Sequence, residues 1–321
     1  MQITIVGAGV IGLTTALVLE ELGHAVHVVA AATGDATTSA VAGAVWFPYR
    51  VGPPDRVALW AATTRAWLER HAGDPAAGID ILDGFEITIE PEEAHGQPPR
   101  RPWWATHIDV VRMPAPVTGA PPAWHFTAPR VEPARFLPWL ASQLRARIET
   151  RTVTDLAAEP GDLVINCSGL GARELAHDDA LSPLLGQIVV TATGAADLKT
   201  TITDHRDPDA IFYVIPRRDE LVLGGCTIPV APGTPPIADD AITARIVGQA
   251  AALGLPIGEV TRTRAGLRPY RDVVRLERPH VIDPDDPTGS GRPGRVIHNY
   301  GHGGAGFTLC YGCADEVAKL V

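Results

Sequence analysis

The chain of 321 residues has no run of about 18 apolar residues, so no membrane-spanning helix is predicted. It also has no positively charged, apolar leader ahead of its first strand-like segment. Its last residues, Ala318-Lys319-Leu320-Val321, lack the Ser-Lys-Leu ending of a peroxisomal address. A cytoplasmic location is the expectation. A basic surplus is missing as well: 27 Lys and Arg against 37 Asp and Glu leave a formal net charge of −10. That argues against nucleic acid or an anionic membrane surface as a partner, since both require a basic face. Cysteine is scarce. Cys310 and Cys313 form a single C-x-x-C, and neither Cys167 nor Cys226 supplies the second ligand pair a zinc site needs, so no metal is expected. Buried thiols are the expectation for the four, with a redox pair or one disulfide as the alternative. Internal repeats and low-complexity tails are absent too. What remains is a globular chain, 45% hydrophobic, with material for one large α/β domain or two smaller ones.

Two glycine loops stand at opposite ends of it. The first, Gly7-Ala8-Gly9-Val10-Ile11-Gly12, follows the apolar run Ile3-Thr4-Ile5-Val6 and opens a helical stretch from Val10 to Leu22. Strand before and helix after is the context of a dinucleotide fingerprint. Gly7 permits the tight turn, Gly9 admits a pyrophosphate close to the backbone, and Gly12 lets the helix pack on the strand, with the helix N-terminus offering N–H groups to phosphate. An ordinary Gly-rich turn is the competing reading. The second strand, Ala25 to Ala30, ends Ala30-Ala31-Ala32 where such folds usually carry an acidic residue for the ribose. Either Asp35 substitutes from the loop, or backbone groups and the hydroxyls of Thr37, Thr38 and Ser39 hold the nucleotide instead. The second loop, His298-Asn299-Tyr300-Gly301-His302-Gly303-Gly304-Ala305-Gly306, follows the strand-like Arg295-Val296-Ile297-His298 and precedes a helix to the C-terminus.

Between the loops the chain leaves and returns twice. Residues 51–130, broken by Pro53-Pro54, Pro98-Pro99 and Pro121-Pro122, read as an insertion; 186–264 read as a second excursion rich in strand signals such as Ile211-Phe212-Tyr213-Val214-Ile215. The expected division is a discontinuous nucleotide-binding domain of residues 1–50, 131–185 and 265–321, with 51–130 and 186–264 forming a substrate domain. A helix is expected around Arg135–Leu144, and Asp162–Gly169 reads as a buried strand ending in a turn.

At full length the chain resembles the D-amino-acid oxidase family. The resemblance rests on the first loop with Leu13, on Ala42-Gly43-Ala44-Val45-Trp46-Phe47-Pro48-Tyr49, on Val164-Ile165-Asn166-Cys167-Ser168-Gly169, on Tyr213-Val214-Ile215-Pro216, on Gly266-Leu267-Arg268-Pro269 and on the second loop. It implies an α/β fold: an FAD-binding, glutathione-reductase-like Rossmann-type domain joined to a second, mainly β-sheet substrate domain. It also implies FAD as cofactor, with a D-amino acid and molecular oxygen as small-molecule partners. A homodimer is left open.

By that resemblance Arg268 and Tyr213 hold the substrate carboxylate, and the backbone carbonyl of Gly304 receives the amino group. A planar guanidinium suits a carboxylate. The neighbours Arg262, Arg264, Arg271, Arg275 and Arg278 leave a solvated basic face as the competing reading of Arg268, and Tyr213 alone reads equally as a core aromatic. For FAD the resemblance assigns Gly7, Ala8, Gly9, Val10, Ile11 and Gly12 at the pyrophosphate, with Thr37, Thr38 and Ser39 nearby and Val153 at the adenine. Ala44, Val45 and Trp46 should lie along the isoalloxazine. Ser168 and Gly169 contribute from the middle of the chain, and Gly301, Gly303, Gly304, Gly306, Phe307 and Thr308 complete the site. The resemblance implies hydride transfer from the substrate α-carbon to the flavin, for which no side-chain base is required, and neither His298 nor His302 is assigned as one.

Two departures bear on substrate. The lid before Tyr213 is short, only Asp209-Ala210-Ile211-Phe212, which predicts an open site. Phe47 replaces a polar residue, and with Val45 and Phe212 it predicts a pocket for neutral, apolar or aromatic D-amino acids. An acidic side chain needs a second cation. D-aspartate oxidase and glycine or sarcosine oxidase activities are alternatives on the same scaffold. A nicotinamide-dependent dehydrogenase would need the ribose carboxylate absent at Ala31, and a non-catalytic nucleotide sensor would have no use for Arg268 and Tyr213.

Overall fold

A strand with parallel partners on both sides and cover on both faces has to be apolar throughout. The first segment fits, since β1 (Gln2–Val6) is buried from Ile3 onward. The computed structural model describes residues 1–89, 97–193, 198–207, 210–281 and 292–321. Asp209 of the short lid lies outside them. After β1 come α1 (Val10–Glu21), β2 (Ala25–Ala30), α2 (Pro54–His71), β3 (Ile79–Ile87), β4 (Val111–Met113) and β5 (Ala123–Val131). The middle of the chain forms α3 (Pro133–Ser142), β6 (Arg147–Thr150), β7 (Leu163–Asn166), α4 (Ala172–Leu175), β8 (Ser182–Thr193) and β9 (Thr200–Asp204). Then follow β10 (Phe212–Pro216), β11 (Glu220–Gly224), β12 (Ile228–Pro229), α5 (Asp240–Ala252) and β13 (Ile257–Glu277). The pair β14 (His280–Val281) and β15 (Arg292–Pro293), then β16 (Val296–His302) and α6 (Gly306–Leu320), end the chain.

The strands β16-β7-β1-β2-β6 run parallel in that order, the Rossmann-type arrangement the first loop predicts. The β-rich half continues the same sheet as β4-β5-β3-β9-β10-β11-β8. The long β13 joins them, antiparallel to β8 on one side and to β16 on the other. A chain segment that touches both halves is thus the one that carries Gly266 and Arg268.

Helix α1 is apolar nearly all round and is buried accordingly. Its contact with the β1–α1 turn is so close that a Cβ on Gly12 would lie 1.9 Å from the Gly7 carbonyl oxygen, and one on Gly7, at φ +121°, would lie 2.3 Å from that of Cys167. Only glycine fits either place. Helix α2 differs from its expected place in the substrate half: it packs on α6, with Trp67 stacked on Tyr311 at 4.8 Å and Trp60 Nε1 donating to Glu316. The expected loop from His298 also begins later than read, because β16 pairs with β13 as far as His302. Among the described residues no helix is long and apolar enough to cross a membrane.

Candidate active site

One cavity of about 790 Å³ opens at the carboxyl ends of β1, β2 and β7 and extends over β10 and β13. Ligands in open α/β sheets bind at such ends. Two helix N-termini face it. At α1 the Val10 N–H donates to Ser39 Oγ at 3.0 Å, while Ile11 and Gly12 precede the first intrahelical bond, from Leu13 N–H to the Gly9 carbonyl. At α6 the first-turn residues Gly306, Phe307 and Thr308 line the cavity. Thr308 Oγ1 accepts from the Phe47 N–H at 3.1 Å and donates to the Phe47 carbonyl at 3.0 Å, which fastens the 42–49 segment to this helix. Ala44 there has φ +59°, a strained conformation for a residue with a Cβ.

Arg268 on β13 and Tyr213 on β10 reach the cavity from strands separated by β11 and β8, and two strand glycines make room for them. A Cβ on Gly224, which pairs directly with Tyr213, would lie 2.2 Å from the phenolic Cζ and Oη; one on Gly186 would lie 2.3 Å from Arg268 Nη1. Arg268 Nη1 donates to the Cys226 carbonyl at 2.9 Å, and no carboxylate pairs with this guanidinium among the described residues. Its charge faces the cavity. Burial raises the Tyr213 pKa, against the opposing pull of Arg268, so the phenol stays a neutral donor. Gly304 sits beside them: a Cβ there would be 2.6 Å from Tyr49 Cδ1 and 3.6 Å from Arg268 Cδ.

Several expected residues turn elsewhere. Successive strand side chains point to opposite faces, so with Tyr213 in the cavity Phe212 lies on the other face, 1% exposed in a cluster with Val214 and Leu223. Trp46 is likewise 1% exposed and points to α2, where its Nε1 donates to the Ala61 carbonyl at 2.8 Å. Gly301 packs against the Arg271 side chain, and Gly12 is closed in by the Gly7 carbonyl. Asp35 is exposed and does not line the cavity; its carbonyl accepts from Arg264 at 3.3 Å. The remaining expected positions, from Gly7 to Ile11, Thr37 to Ser39, Ala44, Val45, Phe47, Val153, Ser168, Gly169, Gly303, Gly304 and Gly306 to Thr308, all line it.

The sequence reading missed a polar corner made by Tyr49, Thr227 and His205. Tyr49 and Thr227 share a hydroxyl hydrogen bond of 2.8 Å, and His205 stacks on Tyr49 with ring centroids 6.2 Å apart. His205 Nδ1 is held 2.9 Å from the buried Glu86 carboxylate, which also accepts from Trp104 Nε1 at 3.2 Å. Near the second loop, burial pushes His302 down to about 3 and His298 down to about 4, so both rings are neutral at pH 7. His302 Nε2 and Asn299 Oδ1 are buried without a partner, and both residues line the cavity. All four cysteines are free and buried.

A family model described as FAD dependent oxidoreductase matches residues 2–320. The chain is 38% identical over 329 residues to a D-amino-acid oxidase of Rubrobacter xylanophilus, across 98% of this chain and 94% of that protein. It is 30% identical over 350 residues to a D-aspartate oxidase of Homo sapiens, across 100% and 94%. Among solved structures, a glycine oxidase from Bacillus cereus superposes with a TM-score of 0.74 at 20% identity, across 99% of this chain and 94% of that one. The last is a likeness of fold alone.

Proposed function

The chain belongs to the FAD-dependent oxidoreductase family, and from that premise we propose that it deaminates neutral D-amino acids oxidatively, to 2-oxo acid, ammonia and hydrogen peroxide. The residues suit the cofactor. Orphaned polar atoms at Asn299 and His302 await partners, two helix N-termini face the cavity, and Gly7 and Gly12 in the turn between β1 and α1 have no room for a side chain. FAD bound there would supply a hydride acceptor for the substrate α-carbon, with oxygen as the final acceptor of the electron pair.

The protein's share is orientation. Arg268 binds the substrate carboxylate with the donors left over from Cys226, and the Tyr213 hydroxyl adds a second, neutral donor. The Gly304 carbonyl receives the amino group, at a place where any side chain would meet Tyr49. No residue needs to take a proton from the α-carbon, and the buried, neutral His302 is not asked to. The amino group itself must be neutral, so turnover rises with pH towards the amine pKa. The N-terminus of α6 favours negative charge delivered at its end of the cavity.

Preference for neutral side chains is supported by Val45, Phe47, Ile188 and Ile215 on the walls. The other cationic candidate among the lining residues, His205, is already matched by Glu86 and brings no net positive charge for an acidic substrate. The same reading takes 1–50, 131–185 and 265–321 as the FAD-binding part and 51–130 with 186–264 as the substrate part, with α2 as cover on the former. The observation that carries the proposal is the Arg268 guanidinium, without a carboxylate partner among the described residues, beside Tyr213 and Gly304 in a cavity lined at its other end by the Gly7–Ile11 turn. Peroxide release is to be measured with D-alanine, D-phenylalanine, D-aspartate and glycine. The proposal expects the first two to lead in kcat/KM; a lead for D-aspartate or glycine overturns the substrate assignment.

A further inference from the structure

The end of β2 poses a chemical gap. Ala30, Ala31 and Ala32 all line the cavity, yet none offers an acceptor to the hydroxyls of a nucleotide ribose, which in dinucleotide folds bind a carboxylate at this strand end. Asp35 does not fill the gap, because it lies outside the cavity. Among all the described lining residues there is a single carboxylate, Glu174, on the short α4 that follows β7. Its neighbour Leu175 packs with Val29 and Val153, which puts α4 at the same end of the cavity as the last residues of β2 and the loop after β6. Ala31, Thr152, Thr154 and Glu174 are exposed there and line the cavity together.

The Glu174 carboxylate is also uncommitted. Nearby cations are already engaged: Arg173 binds Asp179 and the Leu181 carbonyl, and Arg151 binds Glu159 and Glu149. Among the described residues no donor is assigned to the Glu174 side chain. A free carboxylate in a cavity meant for a dianionic pyrophosphate repels its ligand unless it meets hydrogen-bond donors instead, and the adenosine part of FAD has these in its ribose hydroxyls and adenine amine. We propose that Glu174 replaces the missing strand-end carboxylate and anchors the adenosine of FAD from the opposite side of the cavity. The inference rests on this cavity being the FAD site.

The test uses purified holoenzyme of the wild type, Glu174→Gln and Glu174→Ala. FAD release on dilution is followed by flavin fluorescence, and displacement of bound FAD by added FMN gives the FMN affinity. FMN lacks the adenosine. The expected result is an FAD Kd raised about 10- to 100-fold in Glu174→Ala, from loss of charge-assisted hydrogen bonds, with the FMN Kd moved less than about threefold. An FAD Kd that moves less than about threefold in both variants, or an FMN Kd that rises as much as that of FAD, overturns the role of Glu174. A Gly9→Val variant that keeps full FAD affinity removes the cavity reading itself, and the inference with it.

Discussion

Tyr213 can be moved without touching its chemistry, by giving its strand neighbour a methyl group. In Gly224→Ala the new Cβ would lie 2.2 Å from Tyr213 Cζ and Oη and 2.6 Å from Cε2. Ordinary contact begins near 3.4 Å, so the ring has to retreat by about 1.2 Å. Misplacing a positioning group by about 1 Å costs on the order of 100-fold in rate. Tyr213→Phe, which deletes one hydrogen bond to a charged group worth roughly 1.5–3 kcal/mol, should cost about 10- to 150-fold. Both changes act through one hydroxyl, so the double variant should be no worse than the poorer single variant by more than about threefold. The assay is kcat/KM for D-alanine in all four proteins, with FAD content and Tm measured alongside. A Gly224→Ala enzyme within about threefold of the wild type, or losses that multiply in the double variant, refutes the reasoning.

Three further outcomes are expected. Arg268→Met should lower kcat/KM by about 10²–10⁴-fold, the loss of two charge-assisted hydrogen bonds, while FAD content stays full; Arg268→Lys should recover only part of it. His302 and His298 are held at about 3 and about 4, below their ordinary 6.5, by burial. The unfolded chain therefore binds protons more readily than the folded one: stability is complete above about pH 6.5 and falls as pH drops towards 4 and 3, by on the order of a few kcal/mol. Tm measured against pH should show that slope, and His302→Gln should flatten it. Burial pushes the Cys167 and Cys310 thiols up to about 12 and Cys313 well above its ordinary value, so a thiol reagent should label none of these in the native protein and all four cysteines after unfolding.

Much of this site is legible in the sequence because its backbone demands are severe. Gly7 and Gly12 are fixed by carbonyl groups that leave no space for a Cβ, and such demands show as a local pattern. Arg268 and Tyr213 are found through the segments around them. Phe212 is misplaced because alternate side chains of a strand face opposite sides, a rule available at the outset for Phe212 next to Tyr213, and Trp46 because its indole is drawn to the Ala61 carbonyl of α2, a long-range partner. Gly186 and Gly224 escape notice for a different reason. Their importance comes from which residue lies opposite, and strand register depends on long-range pairing that one sequence does not display. The contact of His205 with Glu86 joins residues 119 apart, brought together by the parallel pairing of β3 and β9.

The central claim is most directly tested by mixing the purified protein anaerobically with D-alanine and D-phenylalanine, and separately with their L-isomers, while following the yellow flavin absorbance. The account predicts rapid bleaching by both D-isomers in the wild type, none by the L-isomers, and slowed bleaching in Arg268→Met. A flavin that no D-amino acid bleaches, or that the L-isomers bleach as fast, contradicts it.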